Sequence, residues 1–162
     1  MSDTVQYVRG RIHDVVVKPL TKFLDERGWL AEMFRHDELP QEILPAMAYI
    51  SMTRPGVARG PHEHVSQTDY FCFIGPANFK VYLWDARKDS PTYGVKQFLF
   101  CGVDSPMAVI VPPGVVHAYK NVSSENGIVF NAPDKLYAGE GKKEPVDEVR
   151  HEEVEDSPFV LE

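Results

Sequence analysis

The chain has 162 residues, 43% of them hydrophobic and 25% charged, enough for one domain with a sizeable buried core. Its formal net charge of −7 excludes a whole-surface attraction to nucleic acid or anionic lipid. An anionic ligand would therefore need a local basic patch. Much of the acidity lies between Glu144 and Glu155, which leaves the rest of the chain closer to neutral.

The stretch Met1 to Gln6 lacks the basic-then-apolar pattern of a secretory signal. The longest apolar run, Met107 to Val111, stops at two prolines and is far too short to span a bilayer. A cytoplasmic protein without a membrane partner is expected. Val15 to Val17 is a β-branched strand, Asp25 to Gly28 a turn, and Trp29 to Phe34 a further strand. Asp37 to Leu44 is the one helical turn, kept short by Pro40 and Pro45. Ala46 to Thr53 is strand-like. Asp69 to Ile74 and Asn78 to Trp84 read as a hairpin joined through Gly75-Pro76.

In the second of these, Phe79, Val81 and Leu83 face one way and Lys80, Tyr82 and Trp84 the other. Bulky groups on both faces suit a strand that lines a core on one side and a pocket or subunit contact on the other. Gln97 to Cys101, Met107 to Val111, Val115 to Lys120 and Ile128 to Asn131 continue the series. Cys72 and Cys101 lie in apolar strands outside any paired-cysteine motif and read as buried, reduced thiols. Short strands at regular spacing, with Gly/Pro turns, no repeat and little helix, predict a single all-β domain over residues 1–162, a sandwich or small barrel. Residues 142–162, charged and without periodicity, form a peripheral tail in this reading.

Chemistry concentrates in two stretches. The first runs from Arg54 through His62-Glu63-His64 to Gln67 and Asp69; the second is Pro112 to Asn121, with His117 at its centre. His62 and His64, two apart on extended chain, project to one face. If the stretches meet, His62, His64, Asp69 and His117 make a cluster that could move a proton or hold a metal. His13, His36 and His151 fall outside these stretches and read as surface groups.

These stretches resemble the two cupin motifs, which implies a double-stranded β-helix, a jelly-roll barrel with the site in its mouth. More narrowly, the chain resembles the dTDP-4-dehydrorhamnose 3,5-epimerase family. The matching pieces are Asp25-Glu26-Arg27-Gly28 with Glu32, Arg59 to His62, Gln67, Asp85-Ala86-Arg87, Ser90 to Gly94, and Pro112 to His117. The resemblance implies an isomerase that moves protons next to the 4-keto group of a dTDP-sugar-like nucleotide sugar, in deoxysugar biosynthesis, as a homodimer. His62 would be the base and His117 its catalytic neighbour. Arg27 and Arg59 would hold the anionic end, Arg27 reaching into a neighbouring subunit's site, and Glu32, His64, Tyr82 and Phe130 would complete the substrate pocket. No cofactor is required by an epimerase of this kind.

The departures are specific. The family's tyrosine acid, about thirteen residues after the second-motif histidine, falls on Phe130, leaving Tyr70, Tyr119 and Tyr137 as replacement donors. Its lysine falls on Asp69, its usual glutamine is His64, and its C-terminal aspartate stretch has no counterpart. Two of these changes build His62, His64, Asp69 and His117 into the ligand set of metal-dependent cupins, so a divalent metal and an isomerase or dioxygenase activity form the alternative. A non-catalytic sugar-binding module is the third reading. Asp85 and Arg87 read as a structural ion pair.

Overall fold

The structure is a computed structural model that describes residues 5–162; Met1 to Thr4, part of the stretch scanned for a secretory signal, lie outside the described residues. Its strands are β1 (Val8–Arg9), β2 (Val16–Pro19), β3 (Phe23–Asp25), β4 (Gly28–Leu30), β5 (Tyr49–Thr53), β6 (Ala58–Glu63) and β7 (Asp69–Gly75). They continue with β8 (Asn78–Asp85), β9 (Val95–Gly102), β10 (Met107–Val111), β11 (Val115–Asn121), β12 (Gly127–Asn131) and β13 (Val149–Arg150). One sheet has the order β1-β9-β8-β11-β6-β13 and the other β2-β10-β7-β12-β5, while β3 and β4 form a separate hairpin. This is the expected jelly roll. The helical turn expected over Asp37 to Leu44 is two 3-10 turns, His36–Glu38 and Gln41–Ile43, interrupted at Pro40, whose fixed φ and missing N–H prevent a continuous helix.

Period-two alternation builds the interior. Phe79, Val81 and Leu83 of β8, Val115 and Tyr119 of β11, Phe71 and Phe73 of β7, and Val109 and Val111 of β10 meet between the sheets. Fully burying each such side chain contributes roughly 1.5–3 kcal/mol. The opposite faces are covered too. Tyr82, Trp84, Val116 and Ala118 pack under Phe159, and Tyr70, Cys72, Ala108 and Ile110 pack with Leu20 and Ala132. Cys72 and Cys101 are buried free thiols, both pushed up to about 12 by burial.

Two expectations change. Asp69–Gly75 and Asn78–Asp85 are not hairpin partners: β7 pairs with β10 and β12, and β8 with β9 and β11. The Gly75-Pro76 turn carries the chain from one sheet to the other. The charged segment 142–162 also contributes to the body of the domain. Phe159 is buried with Leu161 packed beside it, and Val149 and Arg150 of β13 pair with Glu63 and His62 of β6. Lys80 Nζ and Tyr82 Oη donate to the Glu162 carbonyl at 2.9 and 2.8 Å. No helix among the described residues is long and apolar enough to cross a membrane.

Candidate active site

The inward rows that build the core also carry the polar cluster. His117 sits between Val115 and Tyr119 on β11, and Asp69 opens the row of Phe71 and Phe73 on β7. His62 on β6 is the cross-strand partner of His117. Close approach of the two strands depends on Gly60, whose φ is +83° and whose Cβ would stand 2.6 Å from the His117 carbonyl oxygen. His64 follows on the same face as His62, and its carbonyl accepts from Gly114 N at 2.9 Å, tying the two motifs together.

The three rings converge. Centroids lie 4.4 Å apart for His62 and His117, and 5.9 Å apart for both His62–His64 and His64–His117. Asp69 Oδ2 is 3.1 Å from His64 Nε2 and 3.2 Å from His117 Nε2. Its Oδ1 accepts from Gln67 Nε2 and Asn131 Nδ2, both at 2.9 Å. His117 and Asp69 are 3% and 1% exposed, whereas His62 and His64 reach a cavity of about 840 Å³.

The site separates the histidines by charge. Burial, with the neighbouring rings of His117 and His64 adding to it, pushes His62 down to about 2, so its imidazole is neutral and carries a free lone pair at ordinary pH. Burial also opposes charge on His64, but the Asp69 carboxylate and the Asp147 carbonyl outweigh it and carry that group up to about 9. Against the cost of burial, His117 and His64 hold Asp69 well below the usual carboxylate range.

Several expected site residues lie elsewhere. Arg27 is 84% exposed on the β3–β4 turn, paired only with Asp25, and Glu32 is exposed beside Arg35 at 3.7 Å. Neither lines the cavity. Tyr82 belongs to the outer layer with Trp84 and Phe159, because its parity on β8 is opposite to that of Val81 and Leu83. Phe130 packs on the other outer layer, against the cluster of Leu20 and Tyr70. Its neighbour Asn131 is the one that reaches Asp69. Arg59 does line the cavity, with Nε donating to Thr53 Oγ1 at 3.0 Å and a terminal nitrogen donating to the Met52 carbonyl at 2.8 Å.

Among the tyrosines weighed as donors, Tyr119 and Tyr137 line the cavity, while the Tyr70 hydroxyl donates to the Met33 carbonyl on the outer side. Asp85 and Arg87 pair as read: Nε to Oδ1 at 2.8 Å, with Ser90 and Thr92 hydroxyls each donating at 2.6 Å. His151 is half-buried, bonded to Glu63 at 2.8 Å, because β13 delivers it there.

Glu148, Asp147 and Tyr49 are among the cavity residues that the sequence reading missed. Glu148 places Oε1 4.0 Å from His62 Nε2, and its Oε2 accepts from Arg150 at 2.9 Å. Asp147 caps the loop after His64, accepting from the backbone N–H groups of Val65, Ser66 and Gln67 at 2.7–2.9 Å. Tyr49 lines the wall and accepts from Asn131 at 3.0 Å. The sole available signal was a carboxylate pair between Val146 and Val149 just after Pro145.

A neutral imidazole beside a carboxylate, in an open basin at the mouth of a jelly roll, has the elements that a proton transfer needs. Comparison with known proteins makes the class specific. The sequence profile of the dTDP-4-dehydrorhamnose 3,5-epimerase family matches residues 5–147, and the chain belongs to that family of sugar-nucleotide epimerases, which are isomerases. It is 39% identical over 128 residues to the probable low-salt glycan biosynthesis epimerase of Haloferax volcanii, covering 78% of this chain and 81% of that one. In structure it is similar to a dTDP sugar isomerase of Desulfovibrio desulfuricans (TM-score 0.78, 23% identity, 91% and 88% coverage). It is also similar to NovW, a 4-keto-6-deoxy sugar epimerase of Streptomyces spheroides (TM-score 0.71, 23% identity, 88% and 71% coverage).

Proposed function

We propose that this chain epimerises a 4-keto-6-deoxy sugar carried on dTDP or a similar nucleotide, with His62 as the base. The observation that carries the reading is the neutral ring of His62, open to the cavity and backed by Glu148 at 4.0 Å. His62 takes the proton from a carbon next to the ketone, and the C–H electron pair moves into the enolate. The imidazolium so formed is stabilised by the Glu148 carboxylate. His64, held as an imidazolium by Asp69, supplies positive charge toward the enolate oxygen. Tyr137, whose side chain is exposed in the cavity wall, returns a proton on the other face. Every step is carried by side chains of the chain.

Arg59, Lys135 and Arg150 line the same cavity, among Asp134, Glu140, Glu144, Asp147, Glu148 and Glu152, and are the cations on that wall that a diphosphate would meet. Arg27 serves a neighbouring subunit rather than its own. It projects from a hairpin whose Phe23, Leu24, Trp29 and Leu30 are all exposed, and β5 offers a free sheet edge with Ile50 at 68% exposure. A second copy of the chain on this apolar face is the arrangement that buries it, so a homodimer with a shared site follows.

The test is deuterium exchange. Incubated in heavy water with dTDP-4-keto-6-deoxyglucose, the protein incorporates deuterium next to the ketone, and His62→Asn reduces the rate by roughly 10²-fold or more. Exchange by the His62→Asn variant at the wild-type rate would remove the proposed base. Sedimentation reports the dimer, and a monomer at all concentrations would refute the shared site.

A further inference from the structure

We propose that Tyr49 donates a hydrogen bond to the ketone oxygen of the sugar, beside His64, and holds that oxygen more tightly as it becomes an enolate. The role rests on the proposed function and adds to it a contact made by none of its steps. Donor and acceptor chemistry fixes the direction of the bond. Asn131 is 1% exposed and is the cross-strand partner of Tyr49. Its Oδ1 accepts from the backbone N–H of Tyr70 at 3.0 Å; a backbone nitrogen only donates, so the other side of the amide is Nδ2. Nδ2 carries two hydrogens. One goes to Asp69 Oδ1 at 2.9 Å, where a carboxylate held in its charged form only accepts. The other goes to Tyr49 Oη at 3.0 Å. Tyr49 is therefore the acceptor toward Asn131, and its own hydrogen has no partner among the described residues.

That hydrogen is left for a ligand. The Tyr49 side chain lines the same cavity as His62 and His64 and is 46% exposed. Conjugation keeps a phenol hydrogen in the plane of its ring, and Asn131 fills one side of the oxygen, so the O–H turns to the other. Burial, with the Asp69 charge adding to it, pushes Tyr49 up to about 12 against the donation from Asn131, and the group stays a donor at ordinary pH. Tyr119 lacks this fixed polarity, because its hydroxyl shares a hydrogen with Ser51 Oγ at 3.1 Å and either can donate. Asp69 ties the two donors together: Oδ2 stands 3.1 Å from His64 Nε2, while Oδ1 accepts from the amide that holds Tyr49. A ketone oxygen only accepts, which matches a donor of fixed direction. A donor aimed in advance needs no reorganisation when charge develops on that oxygen.

Tyr49→Phe removes the hydroxyl and keeps the ring. With dTDP-4-keto-6-deoxyglucose in heavy water, kcat for deuterium incorporation is expected to fall roughly 10²-fold with KM little changed, because the bond strengthens in the enolate. A second measurement needs no turnover: the infrared stretch of the isotope-labelled ketone bound to His62→Asn and to the His62→Asn, Tyr49→Phe double variant. The bound ketone is expected to absorb below its frequency in water and to move back up when the hydroxyl is removed. Exchange by Tyr49→Phe at the wild-type rate, or the same ketone frequency with and without the hydroxyl, would overturn the inference, and exchange lost in His62→Asn alone would then leave the proposed function standing. A wild-type protein that exchanges no deuterium, yet lowers the ketone frequency only while Tyr49 keeps its hydroxyl, retains this contact and loses the proposed function.

Discussion

The sharpest consequence of the geometry concerns Glu148, which the proposed reaction uses only after His62 has taken a proton. Glu148→Gln keeps the shape and removes the charge. At the observed 4.0 Å, two unit charges interact by about 4 kcal/mol at an effective dielectric near 20, and about 1 kcal/mol in bulk water. Both side chains are largely buried but touch the cavity, so the loss falls between these limits. At about 1.4 kcal/mol per tenfold, the variant is expected to lower kcat by roughly 10- to 100-fold. Because Arg150 holds the second carboxylate oxygen at 2.9 Å, the group is already aimed in the free protein, and KM is expected to change little. Solvent-deuterium incorporation and the initial rate of epimer formation measure both quantities, with Glu148→Asp as a partial rescue. Wild-type exchange in Glu148→Gln would show that the carboxylate is a bystander and that His62 needs no counter-charge.

Two further predictions test the electrostatics and the scaffold. The His64 pKa, raised to about 9, contributes stability that is present below about pH 6.5 and lost as pH rises through 9. His62, depressed to about 2, and the depressed Asp69 work oppositely, costing stability as pH falls below about 6.5 and then below about 4. Denaturant midpoints in the presence of a chelator therefore peak near pH 6–7; a midpoint rising steadily to pH 9 would remove His64 as a charged group. Asp85→Asn leaves Arg87 without its buried counter-charge and weakens the Ser90 and Thr92 bonds. A loss of roughly 3 kcal/mol is expected, which lowers Tm by about 6–12 °C for a domain of this size, read by calorimetry. A Tm within about 2 °C of wild type would show the pair to be dispensable.

The site's core was readable because it follows from alternation: His62 and His64 share a face by parity, and turn chemistry brought His117 alongside. What failed was parity carried across irregularities. Counting a fixed offset from His117 placed Phe130 in the pocket. The β12–β7 register shifts between Ile128 and Val129, and it is Asn131 that points inward. Tyr82 was open to either assignment, since nothing local tells a strand that its second face will be covered by Phe159, 77 positions later in number. Glu148 was illegible for a different reason. It stands just before a strand two residues long, Val149–Arg150, which is too short for any period and is held by one neighbour. Arg27 lies on an exposed turn, where its only local signal is the pairing with Asp25.

The brevity of β13 has a consequence for how firmly the wall beside His62 is held. The wall bearing Glu148 is fastened by β13, at the margin of its sheet, and by the Asp147 carboxylate on the loop after His64, whereas β8 and β11 are gripped on both sides. Amide protons of Val149 and Arg150 should thus trade with solvent long before those of Leu83 or Val116, so the carboxylate beside His62 stands next to the least protected strand of its sheet.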